Sequence, residues 1–245
     1  DEASSEKRTT VTILGFANVH GTRFFLLVLN VYLAAALVSK PMGQGALALQ
    51  LLQTLSLLEI LDTNGMTTPG ATSVVGPIVL GLLGSFHYFK TGHQATLSSI
   101  QWESAFVALT TVRYPWSPLL VVLNTLGAQI ISAVAVPVAV LWKRPIDSER
   151  FNPSSSSSSS SSSARLLSDV AQAVTTHLLY HATINLATTM WAGHLRRHLM
   201  LYRIFSPRFM LGAVVLLVVD LILALVAVGF GVRWNTLSVA EVFGW

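Results

Sequence analysis

Apolar residues do not alternate along this chain; they come in long runs divided by short polar stretches. The first run covers residues 24–38, or starts nearer His20, and stops at Ser39-Lys40-Pro41, where charge and proline both discourage continuation. A second covers 46–61 after Gly43-Gln44-Gly45 and closes on Glu59 and Asp62. Asn64-Gly65 and Pro69-Gly70 are turn dipeptides, so a short loop leads to a third run at 72–89, with Leu80 expected on its lipid-facing side. Gly76, Gly81 and Gly84 in that run permit close helix approach. The longest run, 118–142, contains Pro137, which predicts a kink, and Asn124 and Gln129, which need partners inside a bundle. A more polar run at 166–191 and an aliphatic one at 209–232 complete the pattern. Several of these approach the roughly 20 residues that cross about 30 Å of hydrocarbon, the first being a short span, and helices are the implied spanning element.

Composition agrees with this pattern. Of 245 residues, 52% are hydrophobic and 11% charged, against about 25% charged in an ordinary soluble domain. Trp116, Trp142, Trp191 and Trp234 fall near proposed span ends, where amphipathic indoles settle. The net charge of +4 needs no nucleic-acid partner, because its basic residues lie between apolar runs and form no stripe with interleaved aromatics. Those bases divide almost evenly between the two faces that six spans would give, so charge sets no orientation. With no cysteine, disulfides and thiolate sites are excluded. Residues 1–10 are polar and carry no secretory signal, and the chain opens on Asp1, as expected of a fragment or a processed product.

The pattern therefore predicts an all-α polytopic membrane bundle of about six spans. Residues 1–19 form a polar segment, 20–142 a first membrane region of about four spans, 143–165 a linker and 166–245 a second region of about two. The linker holds ten consecutive serines at 154–163, a composition too polar to offset its ordering entropy, and is expected to be disordered.

Chemistry concentrates at a few places. His177, His181 and Asn185, spaced by four, share one helix face. Interhelical hydrogen bonding, headgroup contact and metal binding are all open to them, although a metal would need ligands from other helices. Arg196 and Arg197 lead a basic stretch with His194, His198, Arg203 and Arg208, suited to clasping phosphate or simply to resting on anionic lipid. Asp220 stands midway along the last run, and Glu59 and Asp62 share a face at the end of the second. Residues 91–104 are the richest in hydrogen-bonding groups: His93, Gln94, Thr96, Gln101, Trp102 and Glu103 lie beside a span end, as a headgroup or sugar site requires.

The same stretch carries a resemblance. Gly92-His93-Gln94-Ala95-Thr96 followed by Ser99-Ile100-Gln101-Trp102 is similar to a motif in the membrane domain of the glycosylphosphatidylinositol (GPI) ethanolamine-phosphate transferases, notably the type acting on the third mannose. Pro41-Met42-Gly43-Gln44, Gly76-Pro77-Ile78-Val79 with Gly81-Leu82-Leu83-Gly84, and Arg196-Arg197-His198-Leu199-Met200 fit the same family in the same order. The resemblance implies an endoplasmic-reticulum membrane enzyme that moves phosphoethanolamine from phosphatidylethanolamine to a mannose of a GPI precursor. It implies a preceding catalytic domain with zinc, and a small hydrophobic partner subunit. The acids here are too scattered to build such a metal centre. No catalytic or metal residue and no cofactor is therefore assigned to this chain, which alone is expected to be inactive. The site residues expected to meet phospholipid and glycolipid are those of 91–104, the His177 face and the Arg196–Arg197 pair. A non-enzymatic transporter or scaffold subunit is the alternative, and no internal repeat favours a transporter.

Overall fold

The structure, a computed structural model, describes residues 20–66, 74–93, 100–142, 159–200, 203 and 212–214. Among the described residues every regular element is helical. These are α1 (His20–Val38), α2 (Pro41–Thr63), α3 (Val75–Lys90), α4 (Trp116–Leu141) and α5 (Ser159–His194), with 3-10 turns at Trp102–Phe106 and Leu195–Arg197.

The corner between α1 and α2 is set by its own sequence. Lys40 is extended (φ −65°, ψ 158°) and Pro41 opens α2, where a missing N–H is no loss and a fixed φ suits the helix. Proline thus starts the helix five residues before the apolar run, and Gly43 and Gly45 ride inside it rather than breaking it. Gln44 reaches back to donate to the carbonyls of Ala36 (3.0 Å) and Ser39 (3.3 Å), while the Ser39 hydroxyl donates to Ala35 (2.7 Å). These bonds add to the Ser39 N–H, which is shared between the Ala35 (3.1 Å) and Ala36 (3.2 Å) carbonyls, in closing the end of α1.

Helix α4 is the hub, packed against all four other helices, and its second half is buried on nearly every side from Ile131 to Trp142. Pro137 lies within α4 without ending it. Two small-residue approaches bring α3 onto this hub and onto α5. A Cβ on Gly84 would fall 2.7 Å from the Ser132 hydroxyl, and one on Gly81 would fall 2.7 Å from the Tyr180 ring. Across the same seam the Gln50 amide of α2 donates to the Ala128 carbonyl (2.6 Å) and to the Ser132 hydroxyl (3.1 Å). The His87 Nε2 of α3 sits 2.7 Å from Gln53 Oε1 of α2.

The outer surface is apolar as well. Leu26, Leu33, Leu37, Leu49, Leu52, Ile60, Leu82, Phe86, Leu179 and Leu186 are all exposed, a distribution that suits hydrocarbon and not water. By length and apolarity α2 and α4 qualify to cross a membrane, and α1 contributes a shorter apolar stretch at Phe25–Val38. With 16 residues α3 reaches about 24 Å, short of the hydrocarbon thickness. Helix α5 is long enough but more polar. The hydroxyls of Thr176, Thr183, Thr188 and Thr189 each donate to the carbonyl four residues earlier, which satisfies them within the helix.

Several expectations change. Leu80 is fully buried, because the α3 face that carries it turns toward the core. Trp142 follows the last residue of α4, at the span end, and is buried edge-on against Phe25, ring centroids 6.0 Å apart. Helix α5 begins at Ser159, so the last five serines of the tract are helical; once a helix exists downstream, each added residue gains a backbone hydrogen bond at the modest propensity cost of serine. The rest of the linker, residues 143–158, lies outside the described residues, as does nearly all of the sixth run, 209–232, with Asp220.

Candidate functional site

The end of α1, the start of α2, the end of α3 and the start of α4 meet at one end of the bundle, and the described polar side chains of 91–93 and 100–104 lie there. Helix α3 ends as Thr91 N–H and Gly92 N–H close on the carbonyls of His87 (2.9 Å) and Phe89 (3.1 Å). Gly92 takes φ +90°, a conformation that side chains resist, and this turns the chain so that His93 folds back onto Tyr88. The two rings stack with centroids 5.6 Å apart, and His93 is only 2% exposed.

Hydrogen bonding fixes the tautomer of His93. The Thr91 hydroxyl donates to the Tyr88 carbonyl at 2.8 Å, so its proton is committed. The 3.1 Å contact between Thr91 Oγ1 and His93 Nδ1 then requires Nδ1 to donate. Nε2 is left as a lone-pair acceptor, buried and with no partner among the described residues. Burial holds the pKa of this ring below its ordinary value, which keeps it neutral at pH 7.

Beside this turn, Gln101 Oε1 accepts from the Asn124 amide of α4 at 3.4 Å, so Asn124 has the partner its place in an apolar run demanded. The Ser104 hydroxyl donates to the Gln101 carbonyl at 2.7 Å and pins the 3-10 turn that follows. Trp102 is 63% exposed. Glu103 pairs with Lys40 at the start of α2 (3.6 Å), but both side chains are so exposed that the pair orients more than it stabilises. Thr91 also lies beside Gly43, so the first turn of α2 borders both the His93 turn and the Trp102 turn. Gln94 and Thr96 lie outside the described residues.

The remaining expected residues stand elsewhere. His177 and His181 do share a face of α5, with rings 4.6 Å apart edge-on, but that face meets α3 near Gly81, well before the end that carries His93. Nine residues of α3 separate Gly81 from Lys90, about 13 Å of helix. Asn185 is taken up by packing, since a Cβ on Gly212 would fall 2.7 Å from its Oδ1. Arg196 and Arg197 are exposed on the 3-10 turn that caps α5. Among the described residues no three His, Asp or Glu side chains come together to hold a metal ion. Sequence reading missed the Gln53–His87 pair, the bonds from Gln50 to α4, and Tyr88 as the ring that seats His93. Their signal was present, for a polar side chain within an apolar run needs a partner.

An apolar-surfaced helical bundle, with two helices fit by length and apolarity to cross a membrane, is the architecture of a membrane protein, and the hydrogen-bonding groups collected at one end are its candidate site. Comparison with known proteins narrows this. The chain is 37% identical over 219 residues to GPI ethanolamine phosphate transferase 3 of Eremothecium gossypii, covering 89% of this chain and 20% of that protein. It is 35% identical over 224 residues to the protein of that name in Saccharomyces cerevisiae, covering 91% and 20%. To the human GPI ethanolamine phosphate transferase 3, catalytic subunit, it is 30% identical over 190 residues, covering 66% and 17%. No protein-family profile matches the chain, and no solved structure matches it. The chain belongs to the GPI ethanolamine phosphate transferase family and spans about a fifth of the length of the curated relatives it matches.

Proposed function

We propose that this chain is the membrane portion of an endoplasmic-reticulum GPI ethanolamine phosphate transferase, which gathers phosphatidylethanolamine and a mannosylated GPI precursor and presents a mannose hydroxyl, that of the third mannose, for reaction. In the transfer the phosphate–oxygen bond to diacylglycerol breaks and a new one forms to the sugar oxygen, while the hydroxyl proton passes to the departing diacylglycerol. The zinc-dependent chemistry belongs to a part of the enzyme outside this chain, which crosses the bilayer about six times and holds a small hydrophobic partner subunit. One observation carries the reading: a 37% identity to a protein of that name that runs through 89% of this chain. The collection of His93, Gln101, Trp102 and Glu103 at one end of an apolar bundle supports it, because an amphiphile's polar head lies at that level.

The test is a chimera in which the matching segment of the Saccharomyces cerevisiae protein is replaced by this chain. It should sustain ethanolamine phosphate transfer to a mannosylated GPI acceptor in membranes, whereas this chain alone should give none. A chimera that inserts, keeps its partner and transfers nothing would overturn the reading. A transfer rate indifferent to every change at the polar end would return the chain to a scaffold.

A further inference from the structure

His93 is built as an acceptor. Three features fix it in place: the Gly92 turn at φ +90°, the stack on Tyr88, and the Thr91 hydroxyl that holds Nδ1 as a donor. The result is a side chain with 98% of its surface covered and a lone pair on Nε2 that no described residue satisfies. A buried acceptor without a donor is costly, more so than the hydrogen bond it lacks is worth, so such a group persists where something else completes it.

We propose that His93 Nε2 accepts a hydrogen bond from a sugar hydroxyl of the bound glycolipid acceptor and so orients that sugar; the proposal rests on the transferase reading above. The chemistry selects the ligand group. Phosphate oxygens offer only lone pairs at neutral pH and would oppose Nε2, so the lipid phosphates are excluded from this contact. An ethanolamine ammonium can donate, but burying it against a neutral ring leaves a full charge uncompensated. A hydroxyl donates one hydrogen bond without bringing a charge. It matches the site.

The conservative variants separate the two ring nitrogens. Asparagine places its amide near the Nδ1 position and leaves nothing at Nε2, whereas glutamine reaches the Nε2 position with an acceptor oxygen. In the chimera, His93→Asn should raise KM for a synthetic mannosylated glycolipid about fivefold to tenfold, the loss of one hydrogen bond, with kcat little changed. His93→Gln should recover most of that loss. Among monodeoxy analogues of the acceptor, one should be as poor for the unaltered chimera as the parent is for His93→Asn, and His93→Asn should not distinguish it from the parent. The KM for phosphatidylethanolamine should not move in either variant.

A shift in the phosphatidylethanolamine KM instead would assign Nε2 to the ammonium and overturn the sugar assignment. Loss of melting temperature in step with activity in both variants would make His93 a packing residue. Unchanged constants throughout would also refute the contact. A chimera with the unaltered chain and no transfer at all would fail the broader reading, an outcome distinct from each of these.

Discussion

Gly84→Ala adds one methyl where α3 crosses α4. That Cβ would stand 2.7 Å from the Ser132 hydroxyl, 2.8 Å from Ser132 Cβ and 3.5 Å from the Ala128 carbonyl, and both Ser132 atoms are closer than real Cβ contacts come. Neither neighbour is the end of a flexible side chain, so the helices must part by about 0.7 Å to reach ordinary contact, and a gap of that size forfeits roughly a quarter to a half of each dispersion contact it opens. The move also stretches the Gln50–Ser132 bond, now 3.1 Å. Overpacking of this kind costs about 1–3 kcal/mol, or a fall of roughly 2–10 °C in melting temperature for a body of this size. The assay is thermal unfolding of this chain, purified in detergent, with Gly45→Ala as a control. No atom lies within 4 Å of a Cβ at Gly45, so the same substitution in α2 should be neutral or slightly stabilising. Ser132→Gly added to Gly84→Ala should recover part of the loss, the remainder reflecting the lost Gln50 bond and a glycine inside α4. If Gly84→Ala melts within a degree of the parent, or Gly45→Ala falls as far, the argument from close approach is wrong.

Two further outcomes test the turn that holds His93. At Gly92 the obstacle is conformational, since nothing lies within 4 Å of a Cβ but φ is +90°; Gly92→Ala should cost about 1–2 kcal/mol and raise the acceptor KM as His93→Asn does, with Gly92→Asn milder, read by melting temperature and acceptor kinetics. The pH dependence follows from the lowered His93 pKa. The unfolded ring binds a proton near 6.5 and the folded one only at lower pH, so stability is full above 6.5 and declines as pH falls from there toward the folded value. Melting temperatures between pH 7.5 and 5.5 should show a steeper decline in the parent than in His93→Gln. Equal slopes would remove His93 from the linkage.

Much of the helical layout was legible because an apolar run long enough to span reads as a helix whatever surrounds it. The runs at 24–38, 72–89 and 118–142 reappear as α1, α3 and α4 with ends shifted by a few residues. The start of α2 was misread for a local reason, since glycines at 43 and 45 look like a break unless Pro41 is credited with nucleating the first turn. Facing was harder. Leu80 and Leu82 are alike in sequence, yet Leu80 is fully buried and Leu82 is exposed, and a helix that is apolar all round offers no periodic signal for which side meets its neighbours. The glycines carry that information instead, because only Gly84 and Gly81 admit Ser132 and Tyr180 at such range.

Polar residues divide along the same line between what spacing fixes and what packing decides. Spacing by four put His177 and His181 on one face, and their rings do meet; it could not say that the face packs against α3 far from the loop. The pairing of Gln50 with Ala128 and Ser132 joins residues about eighty positions apart and leaves no local trace. His93 combines both kinds. Its motif marked it as a residue of interest, while the features that make it an acceptor come from a glycine at positive φ, a threonine proton spent on a backbone carbonyl, and a tyrosine ring one turn back on α3. All three lie within six residues of chain, so the device is local, and a segment that keeps Tyr88, Thr91, Gly92 and His93 in this register carries the means to rebuild it wherever α3 ends at a membrane surface.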